Sequence, residues 1–172
     1  MKQFLLLCTI FLLSFSHLSH AHNGAVAIAV PVEGIIIDGD LSDWPEGMRL
    51  YPTARVLIGD KPKDEEDFQG SFRIGYNAAE NALYLAVEMH DQSIVLEGSS
   101  DYDRDGVALY LDLNHGERTV ESGTYTAFGT RKGLLGPGIV WGDTKVGIQR
   151  GEGVHRYEWR IDVEAQIRGK VH

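Results

Sequence analysis

Hydrophobic and polar residues alternate with a period of two through much of this chain, and almost nowhere with the period of a helix. The clearest runs are Phe72 to Tyr76, Leu83 to His90, Val107 to Leu113 and Tyr157 to Val163. Shorter ones are Val26 to Val30, Ile35 to Asp38, Ala54 to Ile58, Thr124 to Phe128 and Val146 to Arg150. Together they predict about nine strands. With 20 glycines and frequent turn residues between the runs, the pattern predicts an all-β fold: an antiparallel β-sandwich, jelly-roll-like, of two packed sheets.

The alternation also assigns faces, because successive side chains of a strand point to opposite sides. Leu83, Leu85, Val87 and Met89 share one face, with Tyr84, Glu88 and His90 on the other. Val107, Leu109, Leu111 and Leu113 oppose Tyr110 and Asp112, and Tyr157, Trp159, Ile161 and Val163 oppose Glu158, Arg160 and Asp162. Each strand is expected to have one dry face and one wet one. The charge run Gly59 to Asp67 reads as a solvated loop. Tyr157 to Val163 reads as a central strand with only Glu164 to His172 after it, so the sandwich is expected to be C-terminally truncated, with further domains or closing strands beyond residue 172.

The first residues change the picture of where this domain works. Lys2, an apolar run from Phe4 to Leu13 and a polar stretch ending in small residues form a secretory signal peptide over 1–21, cleaved after Ala21. The run is broken by Thr9, Ser14, Ser16 and His17, too early for a membrane span, so no membrane insertion of the mature domain, 22–172, is expected. The location is exported: periplasmic, extracellular or cell-surface. The single cysteine, Cys8, lies in the leader, so the mature domain must be held by burial, helped by any bound metal ion, and not by disulfides. Removing the leader, which carries Lys2 and no acidic residue, takes the formal charge from −9 to −10. That excludes nucleic acid as a partner and is compatible with calcium or neutral sugars.

Three ordered blocks carry a resemblance. They are I-D-G-D-L-S-D-W-P (Ile37 to Pro45), F-R-I-G-Y-N with A-L-Y-L-A-V-E-M-H-D (Phe72 to Asn77 and Ala82 to Asp91), and D-G-V-A-L-Y-L-D (Asp105 to Asp112). The set resembles family 9 carbohydrate-binding modules and the DOMON-related sugar-binding or heme-binding sandwiches. The resemblance implies a β-sandwich without catalytic activity of its own that binds the ends of polysaccharide chains, often beside a glycoside hydrolase, with calcium ions in structural roles. The expected function is therefore carbohydrate binding by an exported module, associated with polysaccharide breakdown or surface glycan recognition, with a polysaccharide or oligosaccharide as partner. The alternatives are an extracytoplasmic input domain of a larger sensor and a heme-binding sandwich using Met89 or His90. Met89 shares the aliphatic face, which favours core over heme ligation.

Modules of this kind stack a saccharide on aromatic rings. Trp44 sits in the opening motif and Trp159 shares a face with Ile161 and Val163, so both are expected to pack. Trp141, in G-I-V-W-G-D between glycine-rich turns, is the candidate platform, and Tyr84 and Tyr110, on the faces expected to be wet, are secondary candidates.

The run D-Y-D-R-D-G places Asp101, Asp103 and Asp105 at positions one, three and five of a calcium loop, Gly106 at six and Asp112 at twelve. Hard cations want several oxygens converging at short range, and Asp91 is a further candidate ligand. The residues after Gly106 alternate as a strand, so this is no EF-hand, and the same spacing suits a solvated turn in which Asp105 caps the next strand. His90, His115 and His155 are scattered, and no nucleophile elbow, phosphate loop or metalloprotease motif is present in the sequence.

Overall fold

The computed structural model describes residues 25–53, 62–64, 67–100, 103–111, 123–128, 131–135 and 142–163, with backbone alone for 123–128 and 131–135. Among these residues are nine strands: β1 Val30–Pro31, β2 Tyr51–Pro52, β3 Phe68–Asn77, β4 Ala82–Asp91, β5 Gly106–Leu111, β6 Gly123–Phe128, β7 Arg131–Leu135, β8 Lys145–Arg150 and β9 Val154–Asp162. One 3-10 turn, Leu41–Asp43, interrupts them.

The strands form two sheets. The larger runs β1-β3-β4-β9-β8, with β2 also pairing with β3, and the smaller runs β5-β6-β7. The long strands β3 and β4 are in register from Phe68 opposite Asp91 to Asn77 opposite Ala82, and β4 continues antiparallel onto β9, with Leu85 opposite Trp159. All pairs are antiparallel except β1, which lies parallel to β3 with Val30 beside Gly75, so the larger sheet is mixed.

The core follows the predicted alternation. Leu85, Val87, Val146, Tyr157, Trp159 and Ile161 are buried on the inner face of the larger sheet, and Val107, Leu109 and Leu111 of β5 pack against them. This contact between facing apolar sets makes the fold a two-sheet sandwich.

The expectation of a wet outer face fails at the centre of the larger sheet. Val32, Trp44, Ala82, Tyr84 and Ala86 form a second buried cluster, flanked by Ile35, Ile37, Leu41 and Met48. The segment from Val32 to Met48 lies across the outer side of β4 and β9 and covers it. Tyr84 is consequently only 3% exposed, and Glu158, expected on a wet face, is 0% exposed.

Ile35 to Asp38 is not a strand, because its backbone donors are committed elsewhere. The Ile36 N–H goes to Asp43 Oδ2, and the Asp38 N–H to Glu158 Oε2. Of Val26 to Val30 only Val30 enters a ladder, and Ala54 to Ile58 lies outside the described residues. The described part of the charge run is a loop, in which the Lys63 N–H binds Asp67 Oδ2 and the Asp67 N–H binds Asp64 Oδ1.

Candidate functional site

The opening motif is built around one buried carboxylate. Glu158, on β9, accepts from the indole Nε1–H of Trp44, from the Gly39 N–H at 2.7 Å and from the Asp38 N–H at 3.2 Å. Removing a carboxylate from water raises its proton affinity, and burial holds the Glu158 carboxyl above its usual range, opposed by these three donors. Gly39 has φ +93, and a Cβ there would come within 2.5 Å of the Gln149 backbone nitrogen. Gly147, on β8, touches the same turn, since a Cβ on it would meet the Gly39 nitrogen at 2.6 Å. The motif therefore works as a clasp between the N-terminal layer and strands β8 and β9, and Trp44 packs as expected.

At one end of the larger sheet, Arg160 gathers a polar cluster. Its Nε binds Glu80 Oε2 at 2.9 Å, and its Nη1 binds both the backbone oxygen and Oδ2 of Asp143 at 3.1 Å. Tyr84 donates its hydroxyl to Glu80 Oε2 at 2.7 Å. The bonds from Tyr84 and then Arg160 hold the Glu80 carboxyl below its usual range, while burial and Glu80 push the Tyr84 hydroxyl up. Asp143 also donates its N–H to Asp162 Oδ2. Gly142 and Asp143 directly follow Trp141, so this cluster fixes the chain at the point where the candidate platform ends.

Trp141 itself lies outside the described residues. Tyr84 is brought to this cluster, but its ring is buried beneath the N-terminal layer and offers no face to a saccharide. Tyr110 is 64% exposed on the outer side of β5. Glu80 and Arg160 were not singled out by sequence reasoning. The available signal was the alternation E-W-R-I-D in β9, which puts Arg160 on the outer face; the register of β4 and β9 then sets it opposite Tyr84.

At the far end of β4 the acidic residues serve their own loop. Asp91 Oδ1 accepts from the Ser93 N–H, Asp103 Oδ2 from the Ser99 hydroxyl and the Ser100 N–H, and Asp105 Oδ2 from the Val95 N–H at 2.6 Å, while the Asp105 N–H returns to the Val95 oxygen. The Ser99 hydroxyl, followed by the Ser100 amide, holds the Asp103 carboxyl below its usual range. Among the described residues no three His, Cys, Asp or Glu side chains converge to hold a metal ion. Asp101 and Asp112 lie outside the described residues.

His155 projects between the sheets nearby and is only 4% exposed. Burial, and then Arg150, hold its pKa down against the pull of Asp91 and Asp105. Met89 packs against the inner core, and His90 contacts Glu88 on the outer face.

Two packed sheets, a clasped N-terminal layer and chemistry concentrated at the sheet ends define an all-β sandwich module. The model of the family described as "Carbohydrate family 9 binding domain-like" matches residues 37–129, more than half of the chain, and the chain belongs to that family. Among solved structures it is similar to a family 9 carbohydrate-binding module from Caldicellulosiruptor kristjanssonii in complex with glucose (TM-score 0.59, 19% identity, covering 79% of this chain and 68% of that one). It is equally similar to the same organism's module in complex with cellotriose (TM-score 0.60, 19% identity, covering 79% and 67%). At that identity the likeness speaks for the shared fold. No curated protein matches the chain. Among the described residues no helix is long and apolar enough to cross a membrane.

Proposed function

We propose that this chain is an exported, non-catalytic saccharide-binding module that acts on polysaccharide or oligosaccharide chains, in association with a glycoside hydrolase or in surface glycan recognition. The observation that carries this reading is the family match over residues 37–129. The leader over 1–21 supports export, and the glucose and cellotriose complexes of the two similar structures support a neutral saccharide as ligand.

In this reading Trp141 is the stacking platform, since an aromatic face receives the apolar face of a sugar ring. Arg160 and Glu80 support it indirectly, through Asp143. Tyr110, exposed on β5, is the secondary platform, and Tyr84 supports the cluster from beneath. Titration calorimetry against glucose, cellotriose and a broad glycan panel tests the reading. Binding is expected to at least one member and to weaken about tenfold or more in Trp141→Ala, the loss of one stacking contact. Absence of binding across the panel at millimolar sugar would refute it. N-terminal sequencing of the secreted product tests cleavage after Ala21.

A further inference from the structure

We propose a second binding site, separate from the saccharide reading: a slot between the two sheets that takes a small, planar, uncharged two-ring aromatic molecule with one hydrogen-bonding group.

The slot is a partly open cavity of about 310 Å³. Phe72, Leu85, Val87 and Met89 of the larger sheet form one wall, and Val107 and Leu109 of β5 form the other. Protein interiors are normally packed to crystal-like density, with few voids larger than a water molecule. An apolar cavity of about 150 Å³ stays dry and admits benzene, so this one has room for a second fused ring. Two facing sheets bound a flat space, which suits a planar guest. The Phe72 ring and the Met89 thioether both favour aromatic contact.

The lining also sets polarity. No charged side chain is among the described residues that line the slot, so an ionised guest would lose its hydration without a partner. A single polar group can be met. Among the described residues of the lining Thr53 contributes a side-chain hydroxyl, and Gly106 and Ala108 border the slot along the edge of β5 that pairs with no other described strand. A phenolic or indole-type donor is therefore matched, and a carboxylate or sulfonate is not.

The test is calorimetric titration of the whole chain with 2-naphthol and, separately, with naphthalene-2-sulfonate, which has the same rings and a fixed charge. One 2-naphthol should bind per chain, with the sulfonate at least tenfold weaker. Val107→Phe, which fills the slot from β5, should weaken 2-naphthol at least tenfold. Leu109→Phe provides the same test if Val107→Phe does not fold, with near-ultraviolet circular dichroism checking native packing in each protein. The proposal is overturned by folded wild-type protein that takes up no 2-naphthol to its solubility limit. Equal affinity for the sulfonate, or unchanged affinity in a folded slot-filling variant, overturns it as well. Saccharide titrations on the same samples report on the other site independently.

Discussion

Glu158 and the carboxylates of the 91–105 loop do the same elementary job, accepting backbone and side-chain donors, yet their surroundings differ sharply. Glu158 is fully buried and binds groups 114 to 120 residues away. Asp103 binds groups three and four residues away, and Asp105 an amide ten residues away, all at the surface. A local cap shapes a loop that is already close to closed. A long-range tie orders two segments that would otherwise be independent, and in low dielectric its donors have no water to fall back on. The motif that looks like a turn thus organises the fold, and the motif that looks like a metal loop organises mainly itself.

The contrast predicts the largest losses at the clasp. Trp44→Ala removes a buried ring and one of the Glu158 donors, and should cost about 3–5 kcal/mol in denaturant unfolding. Glu158→Ala leaves the Trp44 indole and the Asp38 and Gly39 amides without an acceptor, and should cost about 3 kcal/mol. If either change costs under about 1 kcal/mol, comparable to a surface hydrogen bond, the distinction between the two regions collapses.

Glu158→Gln keeps the shape of the side chain and removes its charge. Because burial raises the Glu158 pKa in the folded chain, the folded state holds this proton more tightly than the unfolded state does. Glu158 contributes most to stability below its unfolded pKa, and that contribution is lost as pH rises through the folded value. The stability of wild type relative to Glu158→Gln should therefore decline as pH rises above about 4.5, the ordinary glutamate value. Thermal melts of both proteins from acidic to neutral pH read this directly. A constant or rising difference would show that the three donors outweigh burial.

Much of the fold was legible because period-two alternation survives in β3, β4, β5, β8 and β9, where one face is always core. The inner faces matched, down to Trp159 and Ile161. The outer face of β4 and β9 did not match, for a physical reason: Tyr84, Ala86 and Glu158 look amphipathic or polar locally, and only the N-terminal layer lying over them makes them dry. The parallel β1 and the two-residue β2 are too short to carry a period. Glu158 was hidden for a related reason, since a glutamate opposite a core face reads as solvated unless its distant donors are known. The site was less legible still. Trp141 and Tyr110 could be proposed from aromatic type and surroundings, but the cluster joining Arg160, Glu80 and Asp143 depends on strand register, which alternation alone does not set.

The smallest expected effect lies at the other side of the comparison. Asp105 holds the Val95 amide at the surface, so Asp105→Ala should cost only about 1 kcal/mol, the net worth of a typical hydrogen bond. If the loop is organised by its own amides and hydroxyls, that cost will be the same in calcium and in chelator, and calcium will leave the wild-type melting temperature unchanged. A cation held by this loop would behave differently. Binding to the folded state alone stabilises it by mass action, so the wild type would gain stability with calcium and Asp105→Ala would lose the gain. Such a result would move the 91–105 loop from local cap to ligand site, and would require the calcium set to be completed by Asp101 or Asp112.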